Sequence, residues 1–157
     1  MRIITFFIIW IITMPTISEE SRYFVAEGLE DGNVVVYRAP QSVPSGTLES
    51  TYPTLINIYW PFDSNDSGMP SPDINDQLAL FENTTSSLDA AGISHLMLVV
   101  TGNGRKEWIW YVNDVESWLD QFNSLLSAHD VFPIELEMEV DEDWSTYHQF
   151  IESTKGI

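Results

Sequence analysis

Six of the ten residues from Ile134 to Asp143 are acidic, and four of these, Glu135, Glu137, Glu139 and Asp141, alternate with Ile134, Leu136, Met138 and Val140. Side chains two apart on a strand share a face, so this spacing predicts one apolar face and one face of like charges. Such a row repels itself and attracts cations, which suits a docking surface for a basic protein. The acidity continues through Glu142 and Asp143 to Trp144, and these three residues complete the candidate partner-binding set. The same alternation is also what a half-covered antiparallel sheet requires, with charge on its edge strand discouraging pairing with other chains.

A second constellation could do acid–base work. His148 follows Glu142 and Asp143 closely, and a carboxylate paired with an imidazole, joined by His95, would serve a small hydrolase or a metal-dependent enzyme. No nucleophile or oxyanion motif accompanies them, and the chain has no G-x-S-x-G, phosphate loop or dinucleotide fingerprint. His95, His129 and His148 fall in three different elements, without H-E-x-x-H or other metal spacing. No catalytic residue, metal ligand set or cofactor is assigned. Asp63, Asn65, Ser67 and Gly68 match the opening of a calcium loop, but Ile74 stands where its bidentate Glu belongs. The stretch from Asp63 to Asp73 therefore reads as a polar loop, with a weak calcium site left open. Trp108 and Trp110 share one strand face and Ile109 and Tyr111 the other, so one pair is either covered from the second side or forms an exposed aromatic patch.

These residues need elements to position them. "NVVVYRA" reads as a strand after the turn "EDGN", "PQSVPSGTLESTYP" as a loop, and "TLINIYWPF" as a second strand. Ser71 caps a helix with Pro72 at its first position; Ile74, Leu78, Phe81, Thr85 and Leu88 form its buried stripe, and Gly92 is its stop. Two β-rich runs around "GNG" make a hairpin, because this turn needs the positive φ that Gly and Asn supply. Asp114 caps a second helix, with Val115, Trp118, Leu119, Phe122, Leu125 and Leu126 on one side. The acidic strand follows, then a short helix from Trp144 to Ile151. With the first strand set aside, the order is β-α-β-β-α-β, the split β-α-β of ferredoxin-like folds. The expected fold is α+β: an antiparallel sheet with helices on one face, an extra N-terminal strand and a short C-terminal helix.

The chain's 157 residues, 44% of them hydrophobic, are enough for one domain with a core. Residues 1–18 are set apart: Arg2 precedes an uncharged run of 12 residues from Ile3 to Met14, then Pro15, with Thr16 and Ser18 at the spacing of a cleavage site. This is the pattern of a secretory signal peptide, shorter than the roughly 20 residues of a membrane-crossing helix; an uncleaved anchor is the alternative. The expectation is an exported protein, periplasmic or secreted, with residues 19–157 as a single acidic domain. Cleavage would remove one of six basic residues and none of 24 acidic ones, moving the net charge from −18 to −19. Such a surface excludes nucleic acid and anionic lipid as direct ligands and favours basic proteins. The absence of cysteine removes disulfides, thiolate metal sites and thiol catalysis.

"DGNVVVYRA", "YPTLINIYW", "GMPSPDINDQLALFENTTSSL", "VVTGNGRKEWIWYV" and "DEDWSTYHQF" resemble, in order, successive blocks of the mostly bacterial family called domain of unknown function 695, over roughly Gly28 to Ile151. The most specific pieces are the Gly-Met-Pro before the first helix, the T-G-N-G-R hairpin and the ending formed by Asp141, Trp144 and Phe150. The resemblance implies no catalytic residues. In its α+β layout the chain is also similar to the regulator of ribonuclease E activity B family, which implies an acidic module that binds a protein. The export signal argues against ribonuclease E as that partner. The expected function is an exported acidic protein-binding module, an inhibitor or immunity-type partner of a basic protein; the alternatives are the small enzyme using Asp143 and His148, and a structural envelope domain.

Overall fold

The computed structural model describes residues 22–155 and, before them, the two-residue strand β1 (Ile9–Trp10). Apart from β1, the expected leader lies outside the described residues. Six further strands follow: β2 (Tyr23–Glu30), β3 (Asn33–Pro40), β4 (Thr54–Pro61), β5 (Ser94–Gly102), β6 (Arg105–Val112) and β7 (Glu135–Val140). Three helices accompany them: α1 (Pro72–Thr85), α2 (Val115–Leu126) and α3 (Ser145–Ser153). All pairings are antiparallel, in the order β1-β2-β3-β5-β6-β4-β7. The run β5-β6-β4-β7, with α1 between β4 and β5 and α2 between β6 and β7, is the expected ferredoxin-like split β-α-β. As expected, β7 lies at the edge beside β4.

Local chemistry starts the helices where the sequence placed their caps. Ser71 Oγ accepts from Ile74 N at 3.3 Å, and Asp114 Oδ1 accepts from Ser117 N at 2.7 Å. α1 ends at Thr85 and tightens into a 3₁₀ turn over Ser86–Leu88, which still delivers Leu88 to the core. The β5–β6 turn has positive φ at Asn103 and Gly104, as "GNG" required.

β2 is an element the sequence did not announce. Phe24, Ala26 and Gly28 pair with Ala39, Tyr37 and Val35 on one face; Val25, Glu27 and Leu29 pair with Arg38, Val36 and Val34 on the other. Small residues and a charge leave this strand a weak signal of its own, and β3 supplies the template.

The sheet is covered on both sides. Ile56, Ile58, Trp60, Trp108, Trp110 and Val112 pack under α1 and α2, against Leu78, Phe81, Trp118 and Phe122. On the opposite face Tyr37, Leu55, Met97, Leu98, Ile109 and Tyr111 pack with Trp144, Tyr147 and Phe150 at α3. A bulge at Met97 puts two consecutive residues, Met97 and Leu98, on that second face. Trp108 and Trp110 on one face of β6 and Ile109 and Tyr111 on the other are all buried, so it presents no exposed aromatic patch.

Candidate functional site

β7 carries the acidic row to the rim of the sheet. Its register with β4 sets Glu135, Glu137 and Glu139 beside Tyr59, Asn57 and Leu55, on the face away from α1 and α2. Leu136, Met138 and Val140 lie beside Ile58, Ile56 and Thr54, on the helix side. Only Leu136 reaches the core; Met138 is 50% and Val140 76% exposed. The three glutamates are exposed as well, so the far half of this strand offers both faces to solvent. Beyond its pairing with β4, no strand adjoins its outer edge among the described residues.

The corner after β7 divides in two. Glu142 and Asp143 are exposed, whereas Asp141 and Trp144 are buried. Asp141 Oδ1 accepts from Ser145 N at 2.8 Å and Ser145 Oγ at 2.6 Å, and its Oδ2 accepts from Tyr111 Oη at 2.7 Å and Thr146 N at 3.1 Å. Burial pushes this carboxyl up, but these bonds outweigh it and hold it below the ordinary Asp range. Trp144, at φ 51°, stacks on Tyr111 with centroids 4.3 Å apart and donates Nε1–H to Tyr52 O at 3.0 Å. Asp141 and Trp144 therefore leave the candidate partner-binding set, because capping α3 and filling the core use both side chains. Glu135, Glu137, Glu139, Glu142 and Asp143 remain on the surface.

The acid–base constellation comes apart. His148 Nε2 lies 3.0 Å from Glu49 Oε2, so its acidic neighbour comes from the loop before β4 and not from Glu142 or Asp143. His95 is buried against the Tyr52 ring at 4.7 Å, with Nδ1 3.6 Å from Asp89 Oδ1. His129 Nε2 meets Thr84 Oγ1 at 3.3 Å. Among the described residues no three His, Asp or Glu side chains gather as a metal site. In the suspected calcium loop, Asn65 Oδ1 accepts from Ser67 N at 3.0 Å, closing a turn on itself.

Two charge clusters were not legible in the sequence. Glu82, on α1, binds Arg38, takes Lys106 Nζ at 3.2 Å and accepts from Trp108 Nε1 at 3.2 Å. Burial raises its carboxyl, yet Lys106 and Arg38 outweigh that and hold it below the ordinary Glu range. Arg105 reaches Glu30 at 2.9 Å and Glu107 at 3.5 Å, and Tyr37 Oη donates to Glu30 at 3.1 Å. Burial keeps Glu107 above the usual carboxylate range despite Arg105. The only hint was Glu82's position, four residues after Leu78 and three before Thr85 on α1's inward stripe. These clusters occupy Arg38, Arg105 and Lys106, leaving the acidic edge with few cations to offset it.

Two of the three motifs behind the family resemblance meet in space. Gly104 N donates to Gly68 O at 2.9 Å and Phe62 N to Gly104 O at 2.9 Å, joining the Gly-Met-Pro segment to the β5–β6 hairpin. Asn103 ties that hairpin to the β2–β3 turn, accepting from Asn33 Nδ2 at 2.8 Å and donating to Asp31 at 3.1 Å. The sequence profile of the family of unknown function (DUF695) matches residues 30–151. The chain belongs to that family. In this DUF695 chain the three motifs hold the scaffold: two brace adjoining turns, and the third caps α3 and fills the second core. The carboxylates of β7 are not among those motif residues. Neither the curated proteins nor the solved structures give a match.

Proposed function

We propose that this DUF695 chain is an acidic protein-binding module that receives a basic, extended segment of another protein along the outer edge of β7. One observation carries the reading: β7 ends the sheet with both faces exposed, glutamates on one and Met138 and Val140 on the other. An added strand would gain main-chain hydrogen bonds from the edge, while Lys or Arg at alternate positions would meet the glutamates and apolar residues would cover Met138 and Val140. Glu142 and Asp143 extend the acidic field past the strand and favour fast encounter with a cation. Edge protection alone explains the glutamates; it does not explain two apolar side chains left open beside them.

The leader-like residues 1–18 support an encounter outside the cytoplasm, and a basic toxin or enzyme held in check is the partner that fits the charge. Among the described residues no helix is long and apolar enough to cross a membrane. The test is affinity capture by residues 19–157 from the native compartment, at about 0.05 M and 0.5 M salt, with the wild type and with Glu135, Glu137 and Glu139 all changed to Lys. The expected result is a basic partner retained only by the wild type at low salt. Retention unaffected by both changes would sink the proposal.

A further inference from the structure

The hydrogen-bond pattern of β7 fixes what its free edge can pair with. Asp141 N donates to Pro53 O at 2.9 Å, and the register then sets Val140 beside Thr54 and Glu139 beside Leu55. Hydrogen-bonded and non-hydrogen-bonded pairs alternate along an antiparallel ladder, so the main-chain groups of Glu135, Glu137 and Glu139 are turned inward to β4. Those of Leu136, Met138 and Val140 point out of the sheet, and Met138 and Val140 leave them open to a second strand. The three glutamates are exposed, and among the described residues none of them is in an ion pair.

A second copy of β7 meets this edge with the same alternation. In an antiparallel pair of the two, outward main-chain groups bond only to their counterparts, so Leu136, Met138 and Val140 face one another and glutamates face glutamates. No register escapes this. With Met138 opposite Met138, Glu137 stands opposite Glu139; centred on Glu137, that residue meets itself and Glu135 meets Glu139. Like charges directly opposite destabilise a ladder, here in the non-hydrogen-bonded pairs whose Cα atoms are only about 4.5 Å apart. The apolar pairs and the main-chain hydrogen bonds act the other way, so charge is what keeps two copies apart at this edge.

We propose that β7 is a charge-gated self-association edge: Glu135, Glu137 and Glu139 hold the wild type as a monomer, and neutralising or complementing them joins two copies of this chain, β7 to β7. The inference shares its surface with the basic-segment reading but needs no other protein. In sedimentation of the full chain at pH 7, the wild type is expected at the mass of one chain. The variant with Glu135→Gln, Glu137→Gln and Glu139→Gln is expected at twice that mass. Adding Met138→Pro to it should return one chain, because proline removes an outward N–H and no bond to β4. The variant with the three glutamates changed to Lys should be monomeric alone and form a one-to-one dimer with the wild type, since every register then opposes Glu to Lys. That mixture decides the matter even if the proline variant fails to fold. A monomeric Gln variant, a dimer that survives Met138→Pro, a wild type already dimeric, or a Lys variant that ignores the wild type would each overturn the assignment. A Gln variant that dimerises while no basic partner is captured would support it and count against the basic-segment reading alone.

Discussion

A single carboxylate, Asp141, takes four donors, and it shows what one residue does at the boundary between strand and helix. Removing it deprives α3 of its cap, about 1 kcal/mol, and takes a partner from the buried Tyr111 hydroxyl, about 1–3 kcal/mol more. Asp141→Ala should therefore cost about 2–4 kcal/mol in urea unfolding at pH 7. Because the fold lowers this carboxyl, its contribution is fully present above the unfolded Asp value and is lost as pH falls through the folded one. The stability gap between wild type and Asp141→Asn should close in urea titrations taken from about pH 4 downward. Glu82 has the same sign, whereas Glu107, raised by burial, is relatively more favourable to folding as acid neutralises it. From the sequence Asp141 was one more member of an acidic run. Alternation stops assigning faces where the strand stops, at Val140, and only the return of Tyr111 and α3 onto this turn gives the residue its role.

At the scale of elements, the hairpins carry the most specific constraint. Gly102 has φ 134°, and a Cβ there would stand 2.5 Å from Val34 O, where β3 pairs with β5. Gly32, at φ 81° in the β2–β3 turn, has nothing within 4 Å of a built Cβ. Gly102→Ala should cost about 2–4 kcal/mol, because backbone must move to relieve the clash, against about 1–2 kcal/mol for Gly32→Ala from its φ alone. Equal losses in paired unfolding curves would rule out the close approach as the cause. Caps, stripes and turns were legible because each is set within a few residues of chain. β2 was not: two of its three inward residues, Ala26 and Gly28, are small, and it takes its form from β3. Nor was the exposure of Met138 and Val140, since alternation predicts a covered apolar face without saying how far the covering helices reach.

For the whole molecule, charge is the dominant imbalance. The net charge of −18 is spread over a chain whose Arg38, Arg105 and Lys106 are committed to Glu82, Glu30 and Glu107. Unpaired carboxylates repel across the surface, and salt screens them within about 10 Å at 0.1 M. Raising NaCl from about 0.02 M to 0.2 M should lift Tm by about 2–5 °C. A fall in Tm on scanning calorimetry would mean that the paired clusters outweigh the repulsion. A bound basic partner should reduce this salt dependence, because it neutralises the same edge.

The sequence by itself determined the order of elements from β3 onward, the helix starts, the β5–β6 hairpin, the ferredoxin-like connectivity and the acid excess. Each follows from neighbouring residues or from composition. The tertiary structure decided which faces are covered, that Trp144 and Asp141 belong to the interior, and that Glu82 gathers Arg38 and Lys106. It also decided that the Trp110 N–H is buried with no partner among the described residues. The reason is distance along the chain. Arg38 and Glu82 are 44 residues apart and Glu30 and Arg105 are 75 apart, so their meeting depends on which strands lie side by side.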